Sequence, residues 1–127
     1  MPGLAAYDFG DAVRFAASNA KEDEEELKKV SLNLEKYRAF AEGFVGSMRD
    51  VLAEAELNSL ALGAITITFE LAARFLDDYI TGDKYFKINY PEHNLVRARC
   101  QLKLAEDMLA KYDKMRKIIK EVYEKER

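Results

Sequence analysis

Apolar residues recur at steps of three and four along most of the chain, and charged residues fill the positions between them. After Ser31 this stripe consists of Leu34, Tyr37, Ala41, Phe44, Val45, Met48, Val51 and Leu52. The spacing lines one face of an α-helix, so it predicts an amphipathic helix with Asn33 as a candidate N-cap. A shorter helix is predicted over residues 9–19, with Asp8 as its N-cap.

A third helix is predicted over residues 54–80, where the sequence between Leu60 and Phe69 is apolar on almost every side. We expect it at the centre of the fold, with Gly82 ending it at a C′ position. Pro91 disfavours helix for the residue before it, so the last helix is predicted from Asn94 to the C-terminus. Its expected buried stripe is Leu95, Ala98, Leu102, Ala105, Leu109, Tyr112, Met115, Ile119 and Val122.

These helices and their short connections predict a single all-α domain over residues 1–127, an antiparallel bundle of about four helices. The composition agrees, because 49% of the residues are hydrophobic, 34% are charged and only two are proline. The acidic run over residues 22–26 is expected to be a solvated face rather than a metal site. His93 is expected in an exposed loop beside Pro91.

Charge and apolar run length limit the partners that we expect. The net charge of −3 is small and its signs are interspersed, whereas a nucleic-acid partner needs a basic face. The uncharged stretch from Leu57 to Phe69 is too short to span a bilayer, so we expect no membrane partner and a cytoplasmic protein. Cys100 is the single cysteine, which excludes an internal disulfide and a zinc site of cysteines.

Asp8, Phe9 and Gly10 form the tripeptide with which protein kinases hold magnesium against ATP. The other parts of such a site are missing: Gly43 and Gly46 lack the lysine of a phosphate-binding loop, and no aspartate stands two positions after the only histidine, His93. The two glycines are instead predicted to mark a close contact between helices. One histidine also cannot supply a di-iron site, so no catalytic or metal-binding residue is predicted in this chain.

Three stretches in order carry a resemblance to a known family: "MPGLAAYDFGDAVRF", "TFELAARFLDDYITGDKYFK" and "YPEHNLVRARCQLKLAEDM". They resemble the C-terminal part of the aminoglycoside phosphotransferase superfamily and, more narrowly, the bacterial N-acetylhexosamine 1-kinases. The match is collinear over roughly residues 1–110. It implies a helical lobe of an enzyme that uses ATP and magnesium to phosphorylate N-acetylglucosamine or N-acetylgalactosamine at the anomeric hydroxyl.

The resemblance gives another role to the opening tripeptide. Gly3 and Asp8 match the family's Gly-x-x-x-x-Asp pattern, in which the aspartate braces the catalytic loop through hydrogen bonds to its backbone. The magnesium-binding acid of the family lies in an Ile-Asp-x-Asp stretch before this segment. We therefore expect the chain to begin after that acid and to lack the ATP-binding half.

The resemblance also implies part of a sugar site. Arg74 and Tyr85 match family positions that contact the sugar, and Asp11 and Arg14 are candidates for the rim of the pocket. Purely structural roles remain as alternatives for Arg74 and Tyr85. In these alternatives Arg74 pairs with Asp77 or Asp78 one turn away, and Tyr85 packs within its loop.

Two functions remain open at this point. In the first, the chain is the substrate-side helical part of a sugar kinase and is inactive alone, because phosphoryl transfer depends on positioning phosphates and metal. In the second, it is a helical module for self-association or partner binding, with a homodimer formed through Phe9, Val13 and Phe15.

Overall fold

The computed structural model describes residues 2–48, 50–52 and 54–125, with side chains from residue 5 onward. Five α-helices are formed by these residues: α1 Pro2–Ala16, α2 Leu34–Met48, α3 Glu54–Ile80, α4 His93–Ala110 and α5 Tyr112–Lys125. A single 3₁₀ turn, Leu27–Lys29, lies in the connection between α1 and α2. The predicted all-α bundle is confirmed, with no β-strand in the described part of the chain.

The central position of α3 is also as expected. It packs against α1, α4 and α5, and α2 packs against α5 and α1 rather than against α3 itself. Its boundaries agree with the predicted 54–80. Gly82 adopts a φ of 104°, and the Asp83 N–H donates to the Asp78 carbonyl at 2.7 Å, which is the hydrogen bond of a glycine-ended helix C-terminus.

The N-cap of α2 is also confirmed, because Asn33 Oδ1 accepts the Lys36 N–H at 3.0 Å. The proposed N-cap of α1 is wrong. Asp8 lies in the middle of α1, exposed, because the helix begins at Pro2 rather than at residue 9. Proline suits a first helical position, where the backbone nitrogen has no hydrogen bond to donate within the helix.

The close helix–helix contact involves different glycines from those predicted. A Cβ on Gly43 would meet nothing within 4 Å, and Gly46 is exposed. A Cβ on Gly10 would instead lie 2.7 Å from the Ala64 Cα, and one on Gly63 would lie 2.7 Å from the Ala6 Cβ. The backbones of α1 and α3 therefore touch, which only glycine allows at these two positions.

The last predicted helix is two helices, divided at Lys111. The first of the two, α4, is also rotated about its axis relative to the expected buried stripe. Leu102 and Leu109 are exposed, and polar Gln101 is buried in their place. His93, Asn94 and Gln101 lie on the buried face of α4 together with apolar residues such as Leu104, whereas Leu102 and Leu109 are on the outer side.

Candidate functional site

Two connecting segments cover the N-terminal half of α4. We call residues 17–33 the acidic loop and residues 81–92 the aromatic loop. Polar side chains of α1, α3 and α4 hold both loops, so this end of the bundle contains most of the buried polar groups. We take it as the candidate functional site.

Arg14 lies at the junction of α1, the acidic loop and α4. Its guanidinium donates to Asp11 at 3.0 Å, to Glu22 at 2.8 Å and to Gln101 Oε1 at 3.0 Å. The side chain is only 5% exposed, and no hydrogen bond is found for its Nε among the described residues. Asp11 and Arg14, the two candidates for a pocket rim, thus form an ion pair in which Arg14 is buried and Asp11 is exposed.

His93 links the acidic loop to the first turn of α4. Its Nδ1 accepts the Asn89 N–H at 3.2 Å, so the neutral ring carries its proton on Nε2 and donates it to Asp23 at 2.9 Å. The hydrogen bond from His93 holds the pKa of Asp23 below its ordinary value. Two predictions are therefore wrong: His93 is buried, and the acidic run is not wholly solvated.

Asp78 organises the aromatic loop from the C-terminal end of α3. Its carboxylate accepts the backbone N–H groups of Tyr85 and Phe86 and the side-chain amide of Asn94, at 2.7–3.0 Å. Burial raises the pKa of Asp78, but these hydrogen bonds together outweigh burial and leave the pKa below its ordinary value. The site therefore contains a buried, fully bonded carboxylate.

A row of aromatic rings leads from this carboxylate to the surface. Arg97 lies over the Phe75 ring at 5.5 Å, Phe75 contacts Phe86 at 4.7 Å, and Phe86 contacts Tyr85 edge-on at 4.9 Å. Tyr85 itself is 80% exposed. Its backbone is fixed by Asp78 while its ring is accessible to a ligand.

Arg74 is exposed on α3, where it pairs with Glu70 at 2.6 Å rather than with either of the aspartates that follow it. Gly3 and Asp8, the expected brace for a catalytic loop, lie elsewhere in α1. The surroundings of Gly3 fall outside the side chains that the structure describes, and Asp8 is exposed. Neither residue forms part of the polar site around Arg14.

Further polar contacts bind the acidic loop to the middle and the C-terminal end of α4. The Cys100 thiol donates to the Lys21 carbonyl at 3.2 Å, and burial raises its pKa, so it is a poor nucleophile. Asp107 accepts the Leu32 N–H at 2.7 Å, and Lys111 donates to the Leu32 carbonyl at 2.8 Å. This loop is thus held along its length.

A separate cleft of about 760 Å³ lies between the N-terminal half of α3 and α5. Its walls carry charges of both signs, among them Glu54, Asp113, Arg116 and Lys120, over an apolar floor that includes Leu57 and Ile119. None of the predicted sugar contacts lines it. Within the described residues no three His, Cys, Asp or Glu side chains are grouped so that they could hold a metal ion.

Sequence reasoning missed the buried polar residues Asp78, His93, Asn94 and Gln101. A signal was present, because Asn94, Gln101 and Met108 recur at seven-residue steps beside Ala98 and Ala105. A buried stripe drawn through these polar residues as well as the apolar ones also fits the sequence, and it corresponds to the observed rotation of α4. No model of a known protein family matches the chain.

Proposed function

We propose that the chain is the substrate-side helical part of an ATP-dependent sugar kinase similar to the N-acetylhexosamine 1-kinases. In that enzyme it supplies contacts to the N-acetylhexosamine whose anomeric hydroxyl is phosphorylated. ATP and magnesium belong to residues outside this chain, so the chain alone transfers no phosphate.

The observation that supports this proposal is that the three stretches carrying the resemblance pack together as one unit. The first stretch lies mainly in α1, the second covers the C-terminal part of α3 with the start of the aromatic loop, and the third includes most of α4. Arg14 of the first stretch bonds Gln101 of the third, and Asp78 of the second bonds Asn94 of the third. Residues distant in sequence are thus joined through polar side chains.

The geometry distinguishes the four candidate sugar residues. Arg74 is exposed, and its surface ion pair with Glu70 contributes little, so its guanidinium can exchange that partner for sugar hydroxyls. Tyr85 offers an exposed ring for stacking. Asp11 has a side chain that is 58% exposed and can accept a hydroxyl hydrogen bond, whereas Arg14 is buried and holds Asp11 in position.

Calorimetric titration of the chain with N-acetylglucosamine and N-acetylgalactosamine tests the sugar site. We expect weak binding that falls at least about tenfold in Arg74→Ala and in Tyr85→Ala, the loss typical of a direct contact. Arg99→Ala, which removes another exposed arginine from α4, should bind as the unchanged chain does. Absence of sugar binding, or equal binding by all variants, would contradict the proposal.

The same preparation can be assayed for ATP hydrolysis and sugar phosphorylation with magnesium present. We expect neither activity and no heat of ATP binding. Turnover of ATP by the purified chain would show that the chain contains its own phosphate site, and the assignment to a substrate-side part would be wrong.

A second candidate function is self-association. The dimer surface expected from the sequence does not support it, because Phe9 and Val13 are completely buried and only Phe15 of that group is exposed. A different apolar surface, on α3, favours this function.

A further inference from the structure

A continuous apolar seam runs along the outer face of α3, opposite the face that enters the core. Its eight members follow alternating steps of four and three residues: Ala55, Ser59, Leu62, Thr66, Phe69, Ala73, Leu76 and Ile80. All are exposed or half-exposed, with Leu62 at 50% and Ile80 at 72%, and none is charged. We call this set the α3 seam. The hydroxyl of its one serine is satisfied by the Glu56 carbonyl at 2.9 Å.

The seam is large enough to form an interface. At 1.5 Å per residue it is about 38 Å long. Helix α4 runs antiparallel beside α3, since Asn94 bonds Asp78 and the Thr68 hydroxyl contacts Met108 Sδ. Leu102 and Leu109 on α4 are exposed, and we infer that they widen the apolar band. A band two helices wide and this long covers roughly 600 Å², close to the roughly 800 Å² that each partner contributes to a standard interface.

The spacing of the seam defines how a partner would pack. Steps of four and three average 3.5 residues, the repeat with which one helix inserts side chains between those of another over several turns. Four pairs of seam residues, each pair four residues apart, follow one another from Ala55 to Ile80. The occupant of this seam is therefore another helix with the same repeat.

Residue sizes along the seam favour a second copy of α3 in the antiparallel direction. With a two-fold axis between Ile67 and Thr68, each layer joins a small residue to a larger one. The layers are Ser59 with Leu76, Thr66 with Phe69, Ala73 with Leu62 and Ile80 with Ala55 of the second copy. A parallel pair would instead alternate layers of two large and two small residues, which leaves voids and clashes. We propose that the chain forms a two-fold dimer through antiparallel α3 seams.

The charged residues beside the seam give this register a testable consequence. Glu56, Glu70 and Asp77 follow one flank of the seam, and the antiparallel register brings Glu56 of one copy next to Asp77 of the other. The two carboxylates repel each other, and because of the two-fold symmetry this contact occurs twice in each dimer. Salt screens such surface charges, so added salt should strengthen the dimer.

A lipid bilayer is the alternative occupant. Among the described residues α3 alone is long and apolar enough to cross a membrane, and 44% of its most apolar 18-residue window is buried inside the bundle. Insertion would remove α3 from α1 and α4, and would place Glu70, Arg74 and Asp77 in lipid. A second copy covers the seam while leaving the bundle intact.

Sedimentation equilibrium of the full chain is the first test. We expect a dimer at micromolar concentration, and Leu62→Glu should weaken it about 100-fold or more, because each dimer then buries two charges. Leu62 is exposed in the single chain, so the variant should retain the helical circular dichroism of the unchanged protein. Phe15→Glu changes an apolar residue of α1 that is even more exposed than Leu62, and it should leave the dimer unchanged. A monomer at all concentrations, or loss of the dimer only in Phe15→Glu, would overturn the proposal.

Cysteine cross-linking tests the direction of pairing. The antiparallel register places residue 62 of one copy opposite residue 73 of the other, so the double variant Leu62→Cys, Ala73→Cys should form a covalent dimer on mild oxidation. Within one chain the two positions are about 16 Å apart along the helix, too far for a disulfide. Each single variant should remain uncross-linked. Cross-linking by either single variant would show a parallel pair, and no cross-linking at all would refute the interface.

Asp77→Lys tests the register by a gain rather than a loss. It replaces two repulsive contacts with Glu56 by two attractive ones, so the dimer should tighten severalfold and its salt dependence should reverse in sign. Unchanged affinity would rule out this register.

Flotation with neutral phospholipid vesicles completes the test, and co-flotation of the chain would assign the seam to lipid. A failed dimer and a failed sugar titration are separate results, because the seam includes none of the proposed sugar contacts.

Discussion

At the scale of single residues, Tyr37 is the most informative core position. It is the largest fully buried side chain, its ring meets Phe9 edge-on at 5.7 Å, and its hydroxyl has no hydrogen-bond partner among the described residues. Burial raises the pKa of Tyr37 far above its ordinary value. A buried hydroxyl without a partner costs free energy, since it has lost its bonds to water.

Tyr37→Phe should therefore stabilise the chain by about 1 kcal/mol, because the ring keeps its contacts and the unsatisfied hydroxyl is removed. The free energy of unfolding in urea measures the change. Tyr7→Phe, at an exposed position of α1, should alter stability by less than about 0.5 kcal/mol. Destabilisation by Tyr37→Phe would mean that the hydroxyl is hydrogen-bonded in solution, for example to a buried water.

At the scale of helices, the contact between α1 and α3 depends on two glycines that have no room for a side chain. Gly10→Ala removes the conformational cost of glycine in a helix, but its Cβ would lie 2.7 Å from the Ala64 Cα. Backbone atoms cannot move aside as flexible side chains do, so α1 must shift. We expect destabilisation of about 1–3 kcal/mol, seen as a lower midpoint of urea unfolding.

Gly43→Ala is the matched control, because a Cβ there meets nothing within 4 Å in the interior of α2. It should stabilise the chain by about 0.5–1 kcal/mol through helix propensity alone. If both alanine variants were stabilising, the backbones of α1 and α3 would be farther apart than the structure places them.

The helices also show which features the sequence could predict. The boundaries of α3 follow from its uniform apolar run and from Gly82, both of which act locally. The rotation of α4 depends on tertiary partners instead, because its spacing fits both the expected apolar stripe and the stripe that includes Gln101. Gln101 is buried because Arg14 and the Glu22 carbonyl bond it, and both lie about eighty residues away in sequence. Nothing in the spacing of α4 alone identifies those partners.

The features of the candidate site also divide into those that the sequence could predict and those that depend on tertiary contacts. The pairing of Asp11 with Arg14 follows from a three-residue spacing on one helix and needs no tertiary information. Arg74 and Tyr85 were indicated by the resemblance alone, and their exposure on the surface is a new structural fact. The contact between His93 and Asp23 could not be foreseen, because it depends on how the acidic loop folds back over α4.

At the scale of the whole molecule, three aspartates attach the two loops to the α3–α4 pair. Asp23 reaches His93 from the acidic loop, Asp78 binds the backbone of the aromatic loop, and Asp107 binds the backbone of Leu32. The pKa of each carboxyl lies below the ordinary 3.8. Each ionised carboxylate therefore stabilises the folded chain relative to the unfolded one.

The sign of the resulting pH dependence follows from the lowered pKa values. The stabilisation is complete above the unfolded value near pH 4 and is lost as the pH falls through the lower folded values. Acid should thus release both loops before the central helices separate. Hydrogen exchange would show this as earlier loss of protection at the backbone amides of Leu32, Tyr85 and Phe86.

Asp107→Asn isolates one of these contacts. Burial raises the pKa of Asp107, but the bonds from Lys111 and the Leu32 N–H outweigh burial and lower the pKa overall. The variant keeps an oxygen for the Leu32 N–H but loses the charge that pairs with Lys111, so it should be less stable by about 1 kcal/mol at pH 7. That difference in unfolding free energy should stay constant above the unfolded pKa of about 4 and should shrink as the pH falls through the lowered pKa of Asp107, where the carboxyl of the unchanged chain takes up a proton. A difference that did not depend on pH would show that Asp107 acts through packing and not through its charge.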